Sequence, residues 1–136
     1  MKFVASVALV CALLTHPALA QSIQGQWYSR TEIGGVAVET VTVITGNSYI
    51  SNSQSVVGGF QYAVSQTGEV MFTPPDNLRL VVLDWQPRWA NGGPVLMPPN
   101  GNYTILSLDQ AQMVAVDNIC TMNASAAACT LTFQRM

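Results

Sequence analysis

Apolar and polar residues alternate with a period of two along most of the chain. Phe60, Tyr62 and Val64, for example, are separated by polar or small neighbours. Short runs rich in β-branched and aromatic residues recur at 103–108, 112–116 and 129–135. Residues 80–83 are apolar on both faces, which predicts a well-buried strand. No window of about twelve residues has the spacing of an amphipathic helix, so the pattern predicts an all-β fold.

Turn residues divide this pattern into about eight or nine short strands. The turn signals are Gly34-Gly35, Gly46-Asn47, Gly58-Gly59, Gly68, Pro74-Pro75-Asp76-Asn77 and Asp109-Gln110. The predicted strands lie near residues 23–32, 36–45, 47–53, 58–66, 69–73, 78–85, 103–108, 112–118 and 129–135. The apolar phase switches at Glu39-Thr40, which predicts a bulge or strong bend. We predict an antiparallel up-and-down meander of about eight strands, closed into a small barrel because closure removes the strand edges.

One segment, from Trp85 to Asn102, breaks this rhythm. It is rich in proline and glycine and contains two tryptophans, Trp85 and Trp89. Loops longer than about 12–15 residues are uncommon in compact domains and are often functional. Two interpretations remain open. The loop either plugs a barrel end with its own aromatic side chains or forms a lid or rim over a binding cavity.

The beginning of the chain has the organisation of a secretory signal peptide. Lys2 gives a positive start, an apolar run follows, and Ala18-Leu19-Ala20 is a small-x-small cleavage site. The apolar run is too short to span a bilayer. We therefore predict a signal peptide over residues 1–20 and a single β-barrel domain over residues 21–136. The protein is expected to be secreted, to the extracellular space or to the periplasm of a bacterium.

Removal of residues 1–20 leaves a chain without lysine or histidine. Four arginines then face seven carboxylates, a formal charge of −3. Scattered arginines do not form a surface that tracks phosphates, so we expect neither nucleic acid nor anionic membrane as a partner. The missing side chains exclude Ser-His, Cys-His and Ser-Lys catalysis, Schiff bases and histidine metal sites. Asp84 has no second acid placed with it and is expected to pair with Arg88, so we predict a protein that is not an enzyme and uses no cofactor or metal.

Two cysteines and two sequons remain to be assigned. Cys120 and Cys129 form an even pair in a secreted chain, which predicts one disulfide. Two thiolates without histidine would make an incomplete metal site. Asn102 and Asn123 begin Asn-x-Ser/Thr sequons and are possible glycosylation sites if the source is a eukaryote.

The two ends of the predicted barrel domain carry a family resemblance. The motif Gly25-x-Trp27-Tyr28 resembles the G-x-W motif that opens lipocalins and other calycins, and it is also similar to the first strand of avidins. The resemblance implies a barrel in which a first-strand tryptophan, Trp27, lies under a last-strand arginine, Arg135, and closes one end. The main rival, an immunoglobulin-like sandwich, would need a disulfide between distant strands, which Cys120 and Cys129 do not provide.

Two function classes follow from these features. The first is a binding protein for a small apolar or aromatic ligand in the barrel mouth. Its candidate binding residues are Phe60, Tyr62, Phe72, Trp85, Arg88 and Trp89. The competing interpretation is that the strand side chains simply fill the core. The second class is a secreted inhibitor or effector that binds a partner protein through the 85–102 loop. We expect a monomer in either case.

Overall fold

The computed structural model describes residues 23–136, and within them eight antiparallel strands close into a barrel. The described residues contain ten strands, of which eight form the barrel. They are β1 (Gly25–Ile33), β2 (Val36–Thr45), β3 (Ser48–Val57), β4 (Phe60–Thr73), β5 (Asn77–Gln86), β6 (Trp89–Ala90), β7 (Gly93–Pro94), β8 (Gly101–Leu108), β9 (Gln112–Asp117) and β10 (Thr130–Arg135). The barrel order is β1-β10-β9-β8-β5-β4-β3-β2, and β6 and β7 form a separate two-stranded sheet. The prediction of an all-β, up-and-down closed barrel is confirmed. The predicted signal peptide lies outside the described residues.

The barrel has two different ends, because successive connections alternate between them. We call the open end the one that carries the β1–β2 turn, the β3–β4 turn, the connection 87–100 and the connection 118–129. The closed end carries the turns at 46–47, 74–76 and 109–111, together with Gln24 and Arg135.

The buried core lies towards the closed end. It consists of Ile23, Trp27, Ile44, Tyr49, Val70, Leu78, Ile105 and Met113. A small space of about 20 Å³ remains among them, with Trp27, Tyr103 and Phe133 in its wall. This space is far below the roughly 300–1,000 Å³ of ligand pockets. The closed half of the barrel is therefore filled with side chains.

Trp27 and Arg135 close this end, as the resemblance implied. The guanidinium carbon of Arg135 lies 4.2 Å from the centre of the Trp27 ring, and Arg135 Nη1 and Nε donate to the carbonyls of Gln24 and Gln110. The Trp27 indole N–H donates to the carbonyl of Ile23 at 2.8 Å. Gly25 is needed beside them, because it has a φ of +119° and a Cβ there would lie 2.9 Å from Arg135 Nη1. The G-x-W motif is thus explained by barrel closure.

The turn predicted at Gly68 is wrong. β4 runs without interruption for 14 residues, and its pairing with β5 shifts between Thr67 and Gly68. The extra residue is Leu83 on β5, which is 61% exposed, so the prediction of a strand buried on both faces is wrong at that residue. Gly68 is required by close packing instead of by a turn: a Cβ there would lie 1.9 Å from the carbonyl oxygen of Val81.

The bulge predicted at Glu39-Thr40 is also absent, since β2 keeps an unbroken register with β1 and β3 through these residues. The apolar phase switches there because the inward face of β2 becomes polar, with Thr40 and Thr42. The irregular segment from Trp85 to Asn102 contains the short β6–β7 hairpin, whose turn residues Asn91 and Gly92 have φ of 53° and 78°.

The predicted disulfide is confirmed. Cys120 and Cys129 are bonded with an S–S distance of 2.01 Å. Cys120 begins a 3-10 helix (Cys120–Met122), and Cys129 is buried immediately before β10. Asp117 supports the same connection, because its carboxylate accepts the backbone N–H groups of Ile119 and Cys120. The disulfide therefore braces the connection between the last two strands at the open end.

Candidate functional site

The inward face of β1–β4 above the core is lined by hydroxyl groups. Register places Trp27 beside Thr42 and Thr42 beside Ser51 on one face. The next inward row is Ser29, Thr40, Ser53 and Val64. Thr42 and Ser51 hydrogen-bond to each other at 2.6 Å, and Thr40 and Ser53 at 2.9 Å.

These inward hydroxyls were not among the predicted site residues. Their signal in the sequence is the period-two series Ser51, Ser53 and Ser55, in step with Thr40 and Thr42. A search for apolar inward positions does not detect it. The opposite wall of the barrel is more apolar, with Val82, Ile105 and Ala115 buried.

Two tyrosines lie below these hydroxyls. Tyr49 is 1% exposed and its hydroxyl has no hydrogen-bond partner in the described part of the chain. Burial raises the pKa of Tyr49. Burial, with the nearby Asp117 and Tyr49, raises the pKa of Tyr103 to about 12. Both phenols are therefore neutral at physiological pH.

At the open end, inward side chains remain exposed. Val57, Phe60 and Tyr62 occupy the same face as the buried Ser51, by the register of β3 and β4. They are nevertheless 43%, 64% and 38% exposed. This apolar face is open to solvent at the mouth because the β3–β4 hairpin extends past Ser65, where the pairing of β4 with β5 ends. We call Val57, Phe60 and Tyr62 the hairpin tip cluster.

Of the other predicted site residues, Phe72 lies apart from this mouth. It is half-buried and packs against the core in the closed half, near the turn at 74–76. Trp85 and Arg88 lie together at the open end. Trp85 is half-buried and pairs with Gln66 on the inward face.

Asp84, Trp85 and Arg88 form a compact unit at the start of the connection 87–100, which we call the long connection. The Arg88 guanidinium carbon lies 3.4 Å from the centre of the Trp85 ring, and Arg88 Nη2 lies 2.6 Å from an oxygen of Asp84. This is the predicted surface ion pair. The Trp85 indole N–H donates to the carbonyl of Val95 at 3.1 Å, which ties the far side of the loop back to β5.

We expect the Trp85 environment to respond to acid only below about pH 4. The hydrogen bond from Arg88, together with the backbone N–H of Trp85, lowers the pKa of Asp84 below its usual value of 3.8. The charged carboxylate is thus retained as the pH falls towards 4 and is lost only as the pH passes through the lowered pKa, which releases Arg88.

The measurement is the difference in tryptophan emission between the wild type and the Asp84→Asn variant, recorded as a function of pH. The difference is expected to stay constant from pH 7 to about 4 and to vanish below that. A midpoint above pH 4 would contradict the ion-pair geometry. Far-UV circular dichroism at each pH separates this local change from unfolding.

The rest of the connection presents apolar side chains to solvent. Trp89 is 66% exposed on the β6–β7 hairpin, so its side chain does not plug the barrel. Leu96 and Met97 are 83% and 50% exposed. Ile119 and Met122 on the disulfide-braced connection are also exposed. With the hairpin tip cluster, three separate segments thus bring exposed apolar groups to one end of the barrel.

The two sequons differ in setting. Asn102 lies in β8 and its side-chain oxygen accepts hydrogen bonds from the side-chain amides of Asn77 and Asn118. Asn123 is exposed in the disulfide-braced connection. Of the two, Asn123 is the more accessible position for a glycan.

No protein-family model and no curated protein sequence matches this chain. The closed eight-stranded barrel with a tryptophan–arginine contact at one end is compatible with a calycin-like fold. Within residues 23–136, no helix is long and apolar enough to cross a bilayer. The same residues contain no group of three His, Cys, Asp or Glu side chains that could hold a metal ion.

Proposed function

We propose that this protein is a binding protein whose open end takes a small apolar or aromatic ligand. The observation that carries the proposal is the exposure of Val57, Phe60 and Tyr62 on the inward face of the barrel. A ligand seated between this hairpin tip cluster and the long connection would remove that apolar surface from water. Removing apolar surface from water stabilises the bound state by about 25 cal/mol for each Å² buried.

The inward face below the mouth supports a more specific ligand chemistry. Hydroxyls of Thr40 and Ser53 lie between the hairpin tip cluster and the core and are half-buried. The charged groups nearest the long connection, Asp84 in β5 and Arg88 just after it, form an ion pair with each other. The proposed ligand is therefore a neutral molecule with an apolar body and a hydrogen-bonding group that points into the barrel.

Family membership and export belong to the same proposal. The Gly25-x-Trp27 motif, the Arg135 contact and the barrel topology support a calycin-like relationship. The disulfide and the amino-terminal sequence pattern support secretion to an oxidising compartment. The absence of lysine and histidine from residues 21–136 supports a role without catalysis.

Titration with the apolar fluorophore N-phenyl-1-naphthylamine tests the proposal. Phe60→Ala is expected to weaken binding of this probe at least about tenfold, because the variant removes the largest apolar side chain of the hairpin tip cluster. Leu106→Ala is the matched control, since Leu106 is 60% exposed but lies on β8, away from the mouth. Equal affinities for the two variants would contradict the proposed site.

A second candidate is a partner protein bound through the long connection, favoured by the exposure of Trp89, Leu96 and Met97. Trp89→Ala is expected to leave the melting temperature within about 2–4 °C of wild type. In this case it would also weaken partner binding at least about tenfold, because exposed tryptophans are frequent interface anchors. Phe60→Ala would leave this partner binding unchanged, which distinguishes the two functions. A large loss of melting temperature in Trp89→Ala would contradict the exposed position.

A further inference from the structure

The barrel wall has a step at the open end, between β4 and β5. β4 begins at Phe60, but its pairing with β5 begins only at Ser65, which faces Gln86. Residues 60–64 therefore have β3 on one side and no strand on the other. An open groove of about 410 Å³ lies at this step, lined in part by Ala63, Ser65 and Pro87.

The turn geometry fixes which backbone groups are unpaired. Gly58 and Gly59 both have positive φ, 56° and 83°, as in a two-residue type I′ hairpin. Val57 and Phe60 then form a hydrogen-bonded pair, and alternate residues of β4 turn their N–H and C=O groups towards β3. Gln61 and Ala63 turn their N–H and C=O groups to the opposite edge, away from β3. Within residues 23–136 no strand and no turn pairs with these backbone groups.

The comparable edge of β5 is covered. β8 pairs with β5 only as far as Leu80. Above that point the Val82 N–H donates to the side-chain oxygen of Asn100, and the Trp85 indole N–H, a side-chain group, donates to the Val95 carbonyl. The long connection thus masks one edge, while the edge of β4 is left bare.

The chemistry of this hairpin favours pairing with itself. No Asp, Glu, Lys or Arg occurs between Glu39 and Glu69, so the charged residues that usually protect an edge strand are missing. In Phe60-Gln61-Tyr62-Ala63-Val64 the large apolar side chains alternate with the smaller or polar Gln61 and Ala63, so positions equally far from Tyr62 lie on the same face. Two copies brought together in antiparallel fashion would place Phe60 opposite Val64, an aromatic–β-branched pair, without like-charge repulsion.

We propose that a second copy of this chain occupies the bare edge, giving a two-fold symmetric dimer with its axis at Tyr62. Gln61 of each copy pairs with Ala63 of the other and exchanges two N–H···O bonds with it, and the two Tyr62 residues form the closer, non-hydrogen-bonded pair. This replaces the expectation of a monomer. The interface is small, so the dimer forms at about 10 µM to 1 mM protein. The inference goes beyond the proposed ligand site and does not require a ligand.

Sedimentation equilibrium of the protein over that concentration range tests the dimer. The wild type and Ala63→Ser, which keeps the outward N–H, are expected to approach twice the monomer mass. Ala63→Pro removes that N–H at an edge position where proline is tolerated, and it is expected to stay monomeric. The Ala63→Pro variant keeps Phe60 and Tyr62, so probe binding at the mouth is expected to be retained.

Disulfide trapping tests the register. The non-hydrogen-bonded pair at the axis has a Cα separation of about 4.5 Å, within the range that a disulfide spans. Tyr62→Cys is therefore expected to give a covalent dimer on mild oxidation, whereas Val56→Cys, on the same hairpin and more exposed than Tyr62, is not. Equal cross-linking of both variants would overturn the register. A wild type that stays monomeric up to 1 mM would overturn the dimer, even if the edge accepts an added peptide strand.

Discussion

Replacing Trp27 with alanine is expected to lower the free energy of unfolding by about 3–5 kcal/mol. Trp27 is 1% exposed, and it holds three parts of the closed end together. Its ring stacks under Arg135, its indole N–H binds the Ile23 carbonyl, and its ring borders the small core cavity. Truncation would leave a large void and would remove the stacking partner of a half-buried guanidinium.

Denaturant unfolding of Trp27→Ala and Trp89→Ala is the measurement. Trp89 serves as the matched control because it is the same residue type at 66% exposure. Its truncation is expected to cost about 1 kcal/mol or less. If both variants unfold at the same denaturant concentration, the account of barrel closure is wrong.

Gly68→Ala is expected to cost at least about 3 kcal/mol, comparable to the loss of a core side chain. A Cβ at position 68 would lie 1.9 Å from the carbonyl oxygen of Val81 and 2.7 Å from the ring of Tyr49. The first of these atoms is backbone, so relief of the clash requires β4 and β5 to separate at their register shift.

Gly93→Ala is the control for this variant. Gly93 also lies in a strand, and no atom lies within 4 Å of a Cβ built there. Its thermal midpoint is expected to stay within about 2–4 °C of wild type. A Gly68→Ala variant with an equally unchanged midpoint would show that the β4–β5 contact is looser than the structure has it.

The sequence predicted the barrel because the strand signals are strong and local. Period-two alternation and paired glycines located β1, β2, β3 and β10 within a few residues of their observed bounds. Gly68 was misinterpreted because glycine signals both a turn and a close backbone approach, and only the packing of Tyr49 and Val81 distinguishes the two. The β6–β7 turn was detectable, since Asn91-Gly92 is a strong hairpin signal.

The site was less predictable than the fold. Five of the six predicted site residues lie at the open end: Phe60, Tyr62, Trp85, Arg88 and Trp89. The sixth, Phe72, lies on the same strand as Phe60 and Tyr62 but packs against the core near the closed end. The phase of a strand tells which face a residue occupies, but not how far along the barrel it lies. The inward hydroxyls of Thr40 and Ser53 were missed because polar residues are ordinarily assigned to the outer face.

The closed and open ends differ in what their side chains do. At the closed end, the Arg135 guanidinium stacks on the Trp27 ring, and N–H groups of both residues donate to backbone carbonyls. At the open end, the hairpin tip cluster and Trp89 leave most of their apolar surface in water. Stability is therefore expected to depend on the first group, and binding on the second.

Amide chemical shifts in the ¹⁵N-labelled protein, titrated with N-phenyl-1-naphthylamine, would locate the ligand site. We expect saturable shifts at residues 57–62 and along 85–97, with residues 24–27 and 108–112 at the closed end unchanged. Shifts confined to the closed end, or none at probe concentrations up to about 1 mM, a bound that corresponds to roughly −4 kcal/mol of binding free energy, would contradict a ligand site at the open end.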